Sequence, residues 1–132
     1  MAGYSSTPLA AKLGIRPAST LVILGAPPHF TLDLPPDVVV RRQARGPVNV
    51  VLAFHTRSQA MRRAIEALSQ LIVVDGALWI AWPKKSSRAP TDITDHVVRE
   101  IALPLGLVDN KVCAIDDTWT GLRLVWRKEN RA

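Results

Sequence analysis

The side chains in this sequence best suited to chemistry are His29, His55, Lys84, Lys85, Arg88, Thr91, Asp116, Asp117 and Trp119. A histidine beside a carboxylate is a general base near neutral pH. Lysine and arginine hold anions, and an indole offers a face on which a ring can stack. Thr91 and Thr94 are candidate caps for a following helix, whose first amide N–H groups favour negative charge. No Ser-His-Asp spacing, paired-carboxylate motif or metal cluster accompanies them, and the three histidines stand far apart in the chain. The set therefore reads as a binding surface before it reads as a reaction centre. The competing reading is a solvated loop edge, with Asp116-Asp117 simply closing a turn.

Strands must carry these residues to a common edge. The central one is residues 77–82, Ala-Leu-Trp-Ile-Ala-Trp, apolar without alternation and so covered on both faces. Asp75-Gly76 is a turn signal before it, and Pro83, with no N–H for a ladder, ends it. The loop Lys84-Lys85-Ser86-Ser87-Arg88 follows, with three positive charges in five residues. In open α/β sheets ligands bind beyond the carboxyl ends of the strands, which is where this loop belongs. Residues 20–24, 37–42 and 48–54 read as further strands, with His55 at the end of the last.

Helices are expected at residues 7–14, with Thr7 as cap, and for about one turn over 29–34. The firmest runs over 57–71, where Met61, Ala64, Ile65, Leu68 and Leu71 share one face. Arg62 and Glu66 are spaced to pair along it. Another helix covers 94–105, kinked by Pro104 and ended by Gly106. Residues 107–115 and 121–127 form a closing antiparallel hairpin. Trp79 and Trp82 point to opposite faces of their strand, and Cys113 is an inert core residue.

At 132 residues the length is that of one domain, and 48% hydrophobic content supports a core. A single cysteine excludes an intrachain disulfide and a cysteine metal cluster and favours a reducing compartment. No apolar run approaches the roughly 20 residues of a membrane span, and the first ten residues lack signal-peptide character. Cytoplasm is the expected location. The net charge of +6 favours anionic partners: a small molecule, an acidic protein surface, or nucleic acid through Arg41, Arg42, Arg45, Lys84, Lys85 and Arg88. No nucleic-acid-binding motif accompanies the charge. An edge strand such as 38–42, or the terminal hairpin, could pair with a second copy, although Arg41 and Arg42 discourage it; the oligomeric state is not readable.

After the first strand stands Gly25-Ala26-Pro27-Pro28-His29. A nucleotide-binding crossover needs further glycines here, and two prolines remove two amide donors. The order of elements resembles a reduced methyltransferase-type Rossmann fold, although that glycine loop is missing. Arg41-Arg42 also stand where that fold would place an acid on a ribose. More closely, GYSSTPL, WPKK, PTD, GLVDNKVCA and DDTWTGL (residues 3–9, 82–85, 90–92, 106–114 and 116–122) resemble the bacterial family known as domain of unknown function 3052. That resemblance implies no activity.

These observations predict an α/β, single-domain Rossmann-like fold. Its mostly parallel sheet has about six strands, with helices on both faces and a C-terminal antiparallel hairpin. The expected function is non-catalytic binding of an anionic ligand or partner at the carboxyl edge, without a cofactor. The alternatives are a methyltransferase using S-adenosylmethionine in an atypical pocket, and a nucleic-acid-binding protein.

Overall fold

The computed structural model describes residues 7–130; the Gly3-to-Ser6 part of the resemblance lies outside them. Six strands form one sheet: β1 (Thr20–Leu24), β2 (Val39–Arg41), β3 (Val48–Phe54), β4 (Ile72–Pro83), β5 (Leu107–Ala114) and β6 (Trp119–Trp126). Their spatial order is β2-β1-β3-β4-β6-β5. β2, β1, β3 and β4 are mutually parallel, and β6 runs against both β4 and β5. The sheet is thus mixed, and the closing hairpin is inserted so that its second strand, not its first, pairs with β4.

The unalternating strands are apolar on both faces because both are covered. On one face Val51, Ala53, Leu78, Ile80 and Trp82 pack under α2 (Ser58–Ser69) and α3 (Asp95–Ala102). Met61, Ile65 and Leu68 of α2, with Val98 and Ile101 of α3, supply the other half of that core. On the opposite face lie Leu21, Ile23, Leu52, Phe54 and Trp79. Helices were expected on both faces, but among the described residues this one carries only the four-residue α1 (Leu9–Lys12) and irregular chain. Ala10 and Leu13 cover part of it, and Phe30, Leu32 and Leu34 of the β1–β2 connection cover the rest. Trp79 is completely buried there, and its indole Nε1 donates to the Leu13 carbonyl at 2.9 Å, so its one polar atom is satisfied. Trp82 faces the other core, as the alternation of β4 requires.

Several local expectations are corrected. Residues 29–34 form no helical turn. Phe30 donates to the Pro27 carbonyl, and the chain then runs irregularly into Pro35-Pro36, which favour extended backbone before them. Asp75-Gly76 is not a turn before β4 but a bulge within it: Val48 pairs with Ile72 and Val50 with Ala77. The glycine is required because a Cβ at Gly76 would sit 2.7 Å from the Asn49 carbonyl oxygen. α2 is shorter than expected by about a residue or two at each end, and Arg62 and Glu66 do not form an ion pair. α3 stops at Ala102 and tightens into a 3₁₀ turn, Leu103–Leu105, that holds Pro104 and ends at Gly106 with φ +93°. α1 starts one residue past the expected position, with Pro8 at its cap and Gly14 at φ +80° just beyond its end. No helix among the described residues is long and apolar enough to cross a membrane.

Candidate functional site at the carboxyl edge

The β4–α3 connection crosses the carboxyl edge as a strap. Pairing continues past Pro83, with the Lys84 amide donating to the Thr118 carbonyl at 2.7 Å. A 3₁₀ turn, Lys85–Ser87, then ends at Arg88 in the left-handed region, φ +61°. Thr91 Oγ1 donates to the Thr56 carbonyl at 2.7 Å and accepts the Ile93 amide at 3.1 Å. Asp92 accepts from the Ser58 amide at 2.7 Å and from its hydroxyl at 2.6 Å. Asp92 therefore caps α2 from a distant loop, while Thr94 caps α3 by accepting the Val97 amide at 3.2 Å. The Ser58 hydroxyl and amide hold the Asp92 carboxyl below the usual carboxylate range.

Between this strap and α3 opens a cleft of about 550 Å³. Trp82, Pro83, Ala89, Pro90 and Ile93 give it apolar walls, and Lys85 and Arg88 bring positive charge. Thr91, Thr94 and Asp95 complete the lining. The Asp95 carboxylate is engaged by Arg99 Nη1 at 2.9 Å, and that guanidinium lowers its pKa. Arg99 also reaches Asp109 through Nε at 2.9 Å, tying α3 to β5.

The crossover after β1 is arranged differently. Gly25 has φ +70°, and a Cβ there would meet the Phe54 carbonyl oxygen at 2.8 Å, so its small size serves strand packing. Phe30 lies edge-on to Phe54 with ring centroids 5.0 Å apart, and Phe54 lies edge-on to Trp119 at 5.1 Å. Beside this aromatic row, Ile23, Phe30, Leu32, Leu34, Val40 and Arg42 line a cleft of about 280 Å³. Arg41 Nη1 turns back to the Arg45 carbonyl at 3.2 Å. Prolines without N–H groups, a glycine packed against backbone and a basic β2 end do not fit the standard site for an adenosyl cofactor.

The expected site residues are thus divided. Lys85, Arg88 and Thr91 line the strap cleft. Lys84, Asp116 and Asp117 line another cleft, of about 310 Å³, with Leu9 and Lys12 from the α1 side. Asp116 Oδ1 accepts from the Thr118 and Trp119 amides at 2.8 Å each, so it does close the hairpin turn. Trp119 is occupied by Phe54 instead of standing free for a ligand ring. His29 is exposed on the β1–β2 connection and joins neither cleft.

His55 continues the ladder, its amide donating to the Ala81 carbonyl at 2.9 Å, so alternation puts its ring on the Ala53 side, that of α2 and α3. Its Nε2 is buried without a hydrogen-bond partner, and burial pushes its pKa below the ordinary histidine value. Among the described residues neither His29 nor His55 has the carboxylate partner that a general base would use. Cys113 is buried, and desolvation raises its thiol pKa, in keeping with an inert residue. Sequence reasoning missed Asp92, Ser58, Phe30 and Phe54. The signal for Asp92 was a carboxylate between two cap-forming threonines, but its partner lies 34 residues away.

No protein-family model and no curated protein sequence matches the chain. Solved structures do. A SAM-dependent methyltransferase from Aquifex aeolicus superposes with a TM-score of 0.63 at 9% identity, over 88% of this chain and 86% of that one. A TehB-like SAM-dependent methyltransferase from Corynebacterium glutamicum gives 0.55 at 9% identity, over 96% and 91%. Magnesium protoporphyrin IX methyltransferase from Synechocystis, with bound SAH, gives 0.52 at 14% identity over 68% of this chain. The match takes in 51% of that enzyme, so the chain spans about half its length. This is a methyltransferase-type Rossmann fold. At these identities the likeness is one of architecture, and function has to be argued from the site.

Proposed function

We propose that this protein binds an anionic ligand with an apolar body, and that it does so in the cleft between the end of β4 and the start of α3. One contrast along a single sheet edge carries this reading. Beside the packed rings of Phe30, Phe54 and Trp119 the crossover after β1 leaves a cleft of about 280 Å³ with one cation, Arg42, in its lining, whereas the cleft after β4 is about twice as large and has both Lys85 and Arg88 in its wall. Its volume of about 550 Å³ lies within the ordinary range for small-molecule pockets. Apolar walls take the body of the ligand, and the two cations select its charge. The ligand is a small molecule or the acidic side chain of a partner. The resemblance to domain of unknown function 3052 adds no activity.

Fold likeness favours a second reading, a methyltransferase that holds S-adenosylmethionine in an atypical pocket. The similar solved structures are methyltransferases, one of them with bound SAH, and taken alone they support a transferase over a non-catalytic module. The glycine-poor, proline-rich crossover opposes the usual form of that pocket.

Calorimetric titration separates the two. Naphthyl phosphate, S-adenosylmethionine and S-adenosylhomocysteine are titrated into the protein and into the Lys85→Glu/Arg88→Glu variant. The anion-site reading expects heat from naphthyl phosphate that the variant loses by at least tenfold, with its circular dichroism unchanged. Micromolar binding of S-adenosylmethionine that survives the double substitution would establish the transferase instead. Naphthyl phosphate binding equally to both proteins would remove the cleft as the site.

A further inference from the structure

Lys84 and Lys85 are adjacent in sequence but line different clefts. The one holding Lys84 is lined by the apolar Leu9, Ala114 and Ile115, by Thr7, by the cations Lys12 and Lys84, and by the carboxylates Asp116 and Asp117. Opposite charges that share a cleft ordinarily pair. Here they do not: the ion pairs among the described residues are His96–Glu100, Arg99–Asp95 and Arg99–Asp109. Neither lysine's Nζ nor the Asp117 carboxylate has a hydrogen-bond partner there, and Asp116 commits only Oδ1, to the turn amides. Charges of both signs around one cavity, not in contact with each other, leave room for a molecule that carries both.

We propose that this cleft binds a zwitterion, an α-amino acid with an apolar side chain. Its carboxylate sits between Lys12 and Lys84, its ammonium faces Asp116 and Asp117, and its side chain lies on Leu9 and Ile115. The cavity of about 310 Å³ is at the small end of ligand pockets, which suits a single amino acid better than a nucleotide. Both arms of the site are preorganised by the same hairpin turn. Asp116 is held by two amides, and the Lys84 backbone is bonded to Thr118 at 2.7 Å. The site is independent of the anion cleft, which Lys85 and Arg88 serve.

The test is a titration followed by amide chemical shifts, with L-leucine, N-acetyl-leucine and leucinamide as probes. Leucine is expected to give saturable shifts at Lys84, Asp116 and Asp117. Each derivative lacks one charge and binds at least about tenfold more weakly, a loss within the range for a charge-assisted contact. Asp117→Asn weakens leucine but leaves N-acetyl-leucine as it was, and Lys84→Gln weakens leucine but leaves leucinamide as it was. Both side chains are exposed or half-buried, so the variants keep their fold, which circular dichroism checks. No saturable shift with leucine at millimolar concentration overturns the proposal. So does equal binding of all three probes.

Discussion

Two loops leave the same edge of one sheet and do opposite things. The β1–β2 connection, residues 25–38, packs on the sheet through Phe30 against Phe54 and leaves the smaller cleft, about 280 Å³. The β4–α3 connection, residues 84–94, spans the edge on polar tethers and leaves a cleft beneath its basic side chains. The difference is one of chemistry at the anchor points. Rings bury area and close space, whereas hydroxyl and carboxylate caps fix a loop by a few directional bonds and leave space open. A crossover that carries the ligand in some Rossmann folds here serves as core.

The aromatic side should be the costlier to disturb. Phe54 is 5% exposed and touches both Phe30 and Trp119, so Phe54→Ala should cost about 3–5 kcal/mol in urea denaturation. A loss below about 1 kcal/mol would break the comparison, since a ring packed between two others cannot be removed so cheaply. Gly25→Ala comes next. Its φ of +70° and the 2.8 Å approach to the Phe54 carbonyl predict a loss of about 1–3 kcal/mol by the same measurement, with β1 and β3 forced apart. A neutral result would mean that the two strands can separate there without strain.

The same edge should also respond to pH, and more gently. His55 is neutral in the fold because burial lowers its pKa, so the unfolded chain takes up the proton first as acidity rises. Its contribution is complete above the unfolded value of 6.5 and declines as pH falls below it toward the folded pKa. Asp92 and Asp95, also lowered, act in a separate and more acidic window: their stabilisation is present above 3.8 and is lost as pH falls from there. Thermal melts across both windows should show the native protein losing melting temperature in two stages. His55→Leu should flatten the first and leave the second, because its effect is desolvation and the Asp92 effect is hydrogen bonding to Ser58. Identical curves for the variant and the native protein would show that the ring is solvated after all.

Much of this fold was legible because it depends on local pattern. The unbroken apolar run 77–82 requires cover on both faces, and the stripe Met61, Ile65, Leu68 requires a helix lying on one of them. Less of the site was legible. The strands' carboxyl ends were placed correctly at one edge, but Lys84 and Lys85 were read as a single patch. They separate because the β4–β6 ladder still holds Lys84 through its amide, while Lys85 begins the 3₁₀ turn that leaves it. Asp75-Gly76 was misread for a similar reason. A turn dipeptide and a bulge need the same backbone freedom, and only the ladder on either side distinguishes them.

By itself, then, the sequence determined the apolar strands at 20–24, 48–54 and 77–82, the helices that became α2 and α3, and that the first crossover lacks the donors of a phosphate loop. Glycine count, proline positions and hydrophobic period settle those matters within a few residues. Only the tertiary structure decided that β6 enters between β4 and β5, that Asp92 caps α2, and that Phe30, Phe54 and Trp119 pack edge to edge. Each of these joins residues far apart in the chain. Their energies depend on distances and directions that residue types do not carry.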